Sequence, residues 1–279
     1  MPELPEVETI VRGLQPVLEG TRLVRVEARR PDLRIPIPPG LSQQLTGKQV
    51  RAVRRRAKYI LVEMTDGMLL IIHLGMSGRM YIDPGDPDLL THDHVVWKTD
   101  RGDTIRLNDA RRFGLVTLGH VDSLDRNPLF AGAGPEPLSN AFNGPALAKR
   151  LKGRRSPLKA ALLDQKTVAG LGNIYVSEAL FMAGLSPRRL AANVSARQAE
   201  TLVTAIKRVL ENAISAGGSS LRDYVQPTGE LGYFQHQWTV YGKEGKACPD
   251  CDCLIAETGG IRKIVQSNRS TFYCPRRQR

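Results

Sequence analysis

The feature that most constrains the fold is a change of hydrophobic period near residue 135. Before that point, short β-branched or apolar runs are punctuated by Gly or Asp, a pattern typical of antiparallel strands. An opening segment at 3–19 has apolar residues at helical spacing and predicts a helix that ends at Gly20. The pattern therefore predicts one helix followed by an antiparallel β-sandwich over residues 1–135. The predicted strands are 24–28, 59–64, 68–74, 93–98, 104–107 and 115–118.

After residue 135 the period becomes helical, which predicts a helical domain over 136–232. Ser156 as N-cap, with Pro157 at the first helical position, predicts a helix through residue 165. Ser195 and Gln198 have the spacing of a capping box that begins a long helix. The polar segment 217–236 is long for a loop in a compact domain, and such loops are usually functional or disordered. The other predicted helix is 174–183.

All four cysteines lie in the last 32 residues of the chain: Cys248, Cys251, Cys253 and Cys274. In a cytosolic protein such clustering indicates a metal site before it indicates disulfides. Residues 238–279 resemble a zinc ribbon of two hairpins, with Cys248 and Cys251 in one knuckle and Cys274 opening the second. The expected fold class is α+β and multidomain: a helix plus β-sandwich, a helical domain and a zinc-ribbon-like β-hairpin.

The charge balance favours a polyanion as partner. Lys and Arg total 40 against 28 Asp and Glu, a formal charge of +12. Neutralising phosphates releases counterions and provides affinity without reading any sequence. The start of the chain lacks a secretory signal pattern, and the longest apolar stretch, at 68–76, is too short to cross a bilayer. These features predict a soluble, cytoplasmic protein with no membrane partner.

The first residues, Met1, Pro2 and Glu3, suggest chemistry. Initiator Met is normally removed before a small residue such as Pro, which would leave Pro2 with a free secondary amine. An α-amino group has a pKa near ~8, so part of it is neutral at physiological pH and can attack an electrophilic carbon. Glu3 could donate or shuttle the proton. The structural alternative is that these residues only open a helix, with Pro at a tolerated early position.

Five motifs lie in order along essentially the whole chain: 2–8 (PELPEVE), 73–78 (HLGMSG), 108–114 (NDARRFG), 170–178 (GLGNIYVSE) and 269–275 (RSTFYCP). Together they resemble the formamidopyrimidine-DNA glycosylase family, and five matches are far more specific than one. Endonuclease VIII shares the architecture. Its opening typically departs from the sequence at residues 3–8, which favours the purine enzyme.

The resemblance implies a bifunctional DNA glycosylase and AP lyase that acts as a monomer on damaged double-stranded DNA. Such an enzyme excises oxidised purines, such as 8-oxoguanine and formamidopyrimidines, and then cuts the strand by β,δ-elimination. A damaged base inside a duplex is inaccessible, so it must first be extruded. Pro2 would attack C1′ and form an iminium (Schiff base), which acidifies the C2′ proton.

Family position also implies roles for charged residues. Glu3 would assist base departure, and Glu6 would face the reacting sugar. Lys58 corresponds to a lysine that contacts phosphate and donates a proton in β-elimination; its alternative is a solvated member of the 54–56 arginine run. Arg269 corresponds to the ribbon arginine that grips phosphates and is assigned to δ-elimination. Because a guanidinium forks onto phosphate but gives up a proton reluctantly, its chemistry favours clamping.

Further residues match DNA-contact positions of the family. Met76, Arg111 and Phe113 would enter the helix where the base was, replacing lost stacking and pairing with the orphaned base. The alternative places Met76 and Phe113 in a core. His92 and Arg154 match contact positions, although either could be an ordinary surface residue.

The segment around Asn173 matches the helix–two-turns–helix signature of the family. Asn173 lies just before the helix at 174–183, where backbone N–H groups and a short amide can bind a phosphate together. The loop at 217–236 occupies the lesion-reading position of the family.

The sequence departs from the family at Arg277, where the fourth zinc-binding cysteine is expected. Arginine has no lone pair for a cation. Cys253 could supply the fourth bond; a water, Asp250 or Asp252 could complete a site of three thiolates; or the metal could be lost. The remaining thiolates favour weakened zinc binding, with one Zn2+ per chain.

Ala110 is a milder departure, because proline is usual there, and it makes the loop more flexible. A non-enzymatic DNA-binding relative is the competing class of protein. The presence of Pro2, Glu3 and Lys58 argues against it.

Overall fold

The computed structural model describes residues 2–219 and 232–279. The chain divides into two compact units. The first unit is Met1–Ala131 with Ile214–Gln235, and the second is Gly132–Ala213 with His236–Arg279. The three-part domain division expected from the sequence stays a prediction.

The first unit opens with helix α1, Leu4–Leu18. Pro5 lies in its first turn, where a missing N–H costs nothing. The apolar face predicted from the helical spacing is buried against strands β2 (Val50–Arg56) and β3 (Tyr59–Met64). That face consists of Val7, Ile10, Val11, Leu14 and Leu18.

Two antiparallel sheets, each of four strands, form the rest of the first unit. Their orders are β1-β6-β7-β5 and β2-β3-β4-β8, and one apolar core contains side chains from both sheets and from α1. The predicted β-sandwich is therefore confirmed. The strands are β1 (Leu23–Ala28), β2 (Val50–Arg56), β3 (Tyr59–Met64), β4 (Met68–His73), β5 (Arg79–Pro84), β6 (Asp93–Thr99), β7 (Asp103–Asn108) and β8 (Leu115–His120).

The sequence analysis missed two strands, β2 and β5, and both lie at a sheet edge. Edge strands commonly carry charges or proline that discourage pairing with other chains. Strand β2 has the sequence VRAVRRR, and β5 ends at Pro84. These residues weaken the alternating pattern from which strands are predicted. Short helix α2, Leu41–Leu45, was missed as well.

The second unit contains helices α3 (Gly144–Leu151), α4 (Leu158–Leu163), α5 (Asn173–Met182) and most of α6 (Ala196–Ser215). Every residue of α5 from Ile174 to Phe181 is buried, which fits its apolar sequence on all sides. The predicted capping box of α6 is present: Ser195 N–H donates to Gln198 Oε1 at 3.0 Å, and Gln198 N–H donates to Ser195 Oγ at 3.2 Å.

Two predicted helix starts are each wrong by one residue. Pro157, not Ser156, is the N-cap of α4, because Pro157 is extended and bridges Leu190 in the manner of a strand. The helix also ends at Leu163 rather than residue 165. Asn173 is the first residue of α5, with Gly172 at its N-cap.

The C-terminal part of the second unit holds one hairpin, β9 (Arg262–Gln266) with β10 (Arg269–Tyr273). Ser267 and Asn268 join them with φ of 49° and 58°, as a two-residue turn between twisted strands requires. The prediction of a second hairpin is wrong for the described residues 238–261. That segment forms turns and helix α7 (Ile255–Thr258), and only two backbone hydrogen bonds connect 245–246 with Ile261.

Three short 3₁₀ helices complete the described elements: Val121–Arg126, Ala191–Asn193 and Phe234–Gln237. Among the residues described, none of the helices is both long enough and apolar enough to traverse a bilayer.

Candidate functional site

The start of α1 brings three candidate catalytic residues together. Pro2, Glu3 and Glu6 are all buried, with Glu3 and Glu6 only 4% and 2% exposed. Glu3 N–H donates to Glu6 Oε2 at 2.9 Å, as in a capping box. Glu6 Oε1 accepts the N–H of Ser219 at 2.8 Å. The Glu6 carboxylate thus accepts one backbone N–H from Glu3, beside Pro2, and another from Ser219, the last residue described before 220–231. The rest of the expected lesion-reading loop lies outside the described residues.

Lys58 lies in the turn between β2 and β3, directly after Ala57, whose φ is 53°. It is 7% exposed, so it is not a solvated member of the arginine run. Burial lowers the pKa of His73 to about 4, and the charges of Lys58 and Arg34 act in the same direction. A neutral His73 accepts the Gly75 N–H at Nδ1 over 3.0 Å. Lys58 therefore provides positive charge beside the loop that follows β4.

Met76 and Phe113 are exposed, at 39% and 45%, so the alternative that they are core residues is wrong. The Arg111 guanidinium lies 4.9 Å from the centroid of the Phe113 ring. The two loops that carry these residues touch: a Cβ on Gly75 would lie 2.3 Å from the carbonyl carbon of Phe113. The structure therefore gathers Met76, Arg111 and Phe113 on adjoining loops of the first unit.

Asp109 belongs to this loop pair, and the sequence analysis gave it no role. It is completely buried and accepts hydrogen bonds from both loops, through Ser77 and Gly114. Its position inside the motif at 108–114 was the available signal, but its burial could not be read from the sequence.

The two other predicted contact residues, His92 and Arg154, have different surroundings. His92 is exposed, and its carbonyl oxygen accepts the Asp109 N–H at 3.0 Å. Arg154 is half of an ion pair, with its Nη1 2.7 Å from Asp164 Oδ2, and both side chains are about one-third exposed. Burial alone would raise the pKa of Asp164, but the hydrogen bond from Arg154 helps to hold it below its ordinary value.

In the second unit, Asn173 holds strand β10 in place. Its Nδ2 donates to the carbonyl oxygen of Ser270 at 2.9 Å and to the Tyr241 hydroxyl at 3.2 Å. Lys159, a fully buried residue that the sequence analysis missed, also donates to the Ser270 carbonyl, at 2.9 Å. Arg269, exposed at the start of β10, directly precedes Ser270. The Asn173 amide group therefore acts on the strand that presents Arg269.

Glu178 is a second missed residue of the second unit. It is 3% exposed and accepts three backbone N–H groups over 2.8–2.9 Å, from Thr239, Val240 and Tyr241. These bonds fix the start of the C-terminal segment against α5. The sequence places Glu178 in the middle of an apolar helix, but it does not show which backbone N–H groups the carboxylate binds.

The four cysteines meet in space. Their sulfur atoms all lie within 4.8 Å of one another, although Cys274 is far from the others in sequence. The Sγ of Cys253 is 3.0 Å from that of Cys251 and 3.8 Å from that of Cys274, and the last two are 3.6 Å apart. Four thiolates around one zinc ion at ~2.3 Å are separated by roughly 3.8 Å. The cluster can therefore hold one metal ion, with Cys253 as the fourth donor. Burial raises the pKa of Cys248 to about 12, so a cation is needed to favour its thiolate form.

The side chain of Arg277 contacts other protein groups and does not act as a metal ligand. Its guanidinium lies over the Phe181 ring at 4.9 Å, and its Nε donates to the Phe181 carbonyl oxygen at 3.2 Å. Its Nη2 is 3.3 Å from Asp250 Oδ2, within the first knuckle. A cation at the last carbonyl groups of α5 also has the favourable sign for the helix dipole. Arg277 therefore ties the cysteine-bearing segment to the end of α5.

The fold is that of a DNA-repair glycosylase with a helix–two-turns–helix domain. Residues 1–116 match the model of the formamidopyrimidine-DNA glycosylase N-terminal domain, and 133–225 match the H2TH domain of the same enzymes. The chain belongs to the formamidopyrimidine-DNA glycosylase family.

Full-length relatives and solved structures support the same family assignment. The chain is 59% identical to the formamidopyrimidine-DNA glycosylases of Rhodospirillum rubrum, over 100% of both chains, and Paracoccus denitrificans, over 99% of both. It matches a Lactococcus lactis FPG mutant in complex with Fapy-dG-containing DNA, with a TM-score of 0.89 and 34% identity over 100% of both chains. The MutM (FPG) protein of Thermus thermophilus gives 0.86 and 38%, over 99% of this chain and 98% of that one.

Proposed function

We propose that this protein is a base-excision repair enzyme that removes oxidised purines, such as 8-oxoguanine and formamidopyrimidines, from duplex DNA and then cleaves the strand. The observation that carries the proposal is the buried start of α1, where Pro2 adjoins Glu3 and the Glu6 carboxylate. Membership of the family supports the glycosylase activity. The AP lyase activity is the finer part of the proposal.

The chemistry begins once Met1 has been removed and Pro2 has a free amine. The Pro2 nitrogen attacks C1′, the bond between C1′ and the base breaks, and the base leaves with a proton for which Glu3 is the nearest donor in sequence. The amine proton passes to the ring oxygen as the C1′–O4′ bond breaks, which leaves a hydroxyl at C4′ and an iminium that acts as an electron sink. Removal of the C2′ proton then expels the 3′ phosphate, and a second elimination expels the 5′ phosphate.

The surrounding residues support this reaction in distinct ways. Glu6 holds the backbone beside Pro2, and buried Lys58 supplies a cation for phosphate and for proton transfer. Met76, Phe113 and Arg111 are exposed, and in this reaction they fill the space of an extruded base. In the second unit, exposed Arg269 presents a guanidinium suited to gripping phosphate. His92, Arg154 and Asn173 stay candidate DNA contacts, the last two already bound to protein groups.

One zinc ion fits the thiol cluster, held by Cys248, Cys251, Cys274 and Cys253. A zinc ion in such a closed site supplies structure rather than reactivity. Cys253 takes the place of the fourth cysteine that is absent at 277. Apart from the ion, hydrogen bonds of Glu178 and Arg277 hold the C-terminal segment that contains Arg269 against α5.

The oxidised-pyrimidine alternative has one observation in its favour. A similar structure, with a TM-score of 0.88 and 33% identity, is wild-type Lactococcus lactis FPG in complex with DNA that contains an oxidised pyrimidine. Binding of DNA with such a lesion is therefore compatible with the same scaffold. A monomeric state and a cytoplasmic location stay predictions.

The test is to trap the covalent intermediate. Met-trimmed protein is incubated with a duplex bearing one 8-oxoguanine opposite cytosine, borohydride is added, and a covalent complex is sought on a denaturing gel. A band is expected. Two extra residues before Pro2 should abolish it, because an amide nitrogen is not a nucleophile, and proteolytic removal of those residues should restore it.

Other results would change the conclusion. A band only with an oxidised pyrimidine would assign the protein to the endonuclease VIII side of the family. Binding to both duplexes without trapping on either would identify a catalytically silent relative.

A further inference from the structure

The loops at 74–78 and 109–114 are interlocked. Gly75, at φ +61°, has no room for a side chain, because a Cβ would meet the backbone of Phe113 at 2.3 Å. Gly114 is restricted from the other side, since its Cβ would lie 2.9 Å from Asp109 Oδ2. Neither loop can move far without the other.

The carboxylate of Asp109 joins the two loops directly. Ser77 Oγ donates to Oδ1 at 2.6 Å, and Gly114 N–H donates to Oδ2 at 2.7 Å. The Ser77 oxygen in turn accepts the Arg111 N–H at 3.2 Å. One buried carboxylate thus binds a residue adjoining Met76 and a residue adjoining Phe113.

The backbone of Asp109 is fixed as well. Its N–H donates to the His92 carbonyl oxygen at 3.0 Å, and its own carbonyl oxygen lies 2.9 Å from His94 Nε2. The same carbonyl accepts the Arg112 N–H at 3.2 Å. The backbone of Asp109 is therefore attached to His92 and His94, at the start of β6, which fixes the first residue of the loop at 109–114.

Exposed side chains need such an anchor. Met76 and Phe113 have large exposed fractions, so packing alone does not set their positions. Arg112 also has a φ of 58°, a left-handed conformation that a non-glycine residue rarely adopts without surrounding constraints. Ala110 adds freedom where proline would remove it. The hydrogen bonds of Asp109 supply the constraint that these residues lack.

We propose that Asp109 is a positioning residue that sets Met76, Arg111 and Phe113 as one rigid group for filling the space of an extruded base. It does not touch the substrate; it acts through Ser77 and Gly114. The inference rests on the proposed function, and it adds a residue whose loss should impair extrusion of the base more than the lyase chemistry.

The test compares two substrates under single-turnover conditions. One duplex carries 8-oxoguanine opposite cytosine, and the other carries a preformed abasic site, from which no base has to be extruded. Asp109→Asn keeps the size of the side chain but removes its charge and one of its two acceptor oxygens, so either Ser77 becomes the acceptor or the bond with Gly114 breaks. We expect excision of 8-oxoguanine to slow by about tenfold or more and cleavage at the abasic site to slow by less than about threefold.

Two variants make the test robust. Ser77→Ala removes one of the two hydrogen bonds to the carboxylate, together with the acceptor of the Arg111 N–H. It should give the same substrate split with a smaller loss, even if the Asp109 variant folds poorly. Combined with Asp109→Asn it should add little, because both act through one network. Asp125→Asn, at an exposed aspartate of the same unit, is the matched control and should leave both rates unchanged.

The outcomes separate this inference from the function on which it depends. Equal slowing on the two substrates would reduce Asp109 to a general structural residue and overturn the inference. Unchanged excision in both Asp109→Asn and Ser77→Ala would overturn it as well. Absence of excision and trapping in the unmodified protein would instead overturn the proposed function.

Discussion

The start of α1 and the thiol cluster are both buried, yet they differ in how far they tolerate a lost residue. Pro2 and Glu3 directly precede α1, and Glu6 lies in its first turn. In the proposed reaction the nucleophile is the α-amine of Pro2, and no side chain can replace an α-amine. A metal ion requires only four donor atoms at suitable distances, and those donors come from turns and from the residue after β10. The cluster can therefore lack a cysteine at 277 and use Cys253, whereas the proposed reaction offers no replacement for Pro2.

The largest effect is expected from Cys253→Ser, which removes the substitute donor. Zinc bound per chain should fall well below one equivalent, and resistance to a chelator should fall with it. A structural zinc site contributes on the order of 10 kcal/mol to folding a small finger, so the C-terminal segment should be strongly destabilised. Zinc content after dialysis measures the first effect, and urea unfolding measures the second.

Asp252→Asn is the control for that experiment, because Asp252 is an exposed carboxylate beside the same thiols. It should retain zinc. Loss of zinc from this variant, with retention in Cys253→Ser, would show instead that a carboxylate completes the site. Adding Arg277→Cys to Cys253→Ser should restore binding, because it returns a thiol to the second knuckle.

The next effect tests whether the C-terminal segment also depends on hydrogen bonds. Glu178→Gln replaces one acceptor oxygen with a donor, which faces a backbone N–H of residues 239–241. We expect a loss of about 2–3 kcal/mol in the free energy of unfolding, measured in urea. Exposed Glu211→Gln on α6 is the matched control and should change stability by less than about 0.5 kcal/mol. Equal stabilities of Glu178→Gln and the unmodified protein would mean that the metal, and not these hydrogen bonds, is the main anchor of the C-terminal segment.

A third effect concerns pH and the first unit. Because the pKa of His73 falls from 6.5 to about 4 on folding, mainly through burial, the unfolded chain binds a proton here between those values and the folded chain does not. Stability should therefore decline as the pH falls through this window. His73 should account for about 2 kcal/mol of the loss between pH 7.5 and pH 5.

The His73→Asn variant isolates that contribution, since an amide oxygen can accept the Gly75 N–H without titrating. Its stability should decline less than that of the unmodified protein by the stated amount. Parallel curves for the two proteins would mean that His73 does not carry this pH dependence.

The smallest effect tests the contacts of Arg277. Arg277→Ala should cost about 1–2 kcal/mol through loss of the ring contact and of the hydrogen bond to α5. Arg277→Lys retains a charge near Asp250 but not the planar stack, so it should recover only part of that loss. Exposed Arg276→Ala is the control for a neighbouring charge. A neutral result for Arg277→Ala would leave the thiols to hold the segment without this tie.

The sequence by itself determined the family, the candidate nucleophile and most helices and strands. The five motifs, the face of α1 and the capping box of α6 are local patterns, and residues close in sequence can be read without knowing the fold. The edge strands β2 and β5 escaped because their charges and proline suit an edge, and an edge exists only once the sheet has formed.

Only the tertiary structure decided the burial of Asp109 and Lys58, the exposure of Met76 and Phe113, and the choice of Cys253 over the carboxylates as the best-placed fourth donor. Each depends on atoms that are distant in sequence: Ser77 lies 32 residues from Asp109, and Cys274 lies 21 from Cys253. Hydrogen bonds and metal coordination act over a few ångströms, so residue types and spacing cannot specify them until packing brings the partners together.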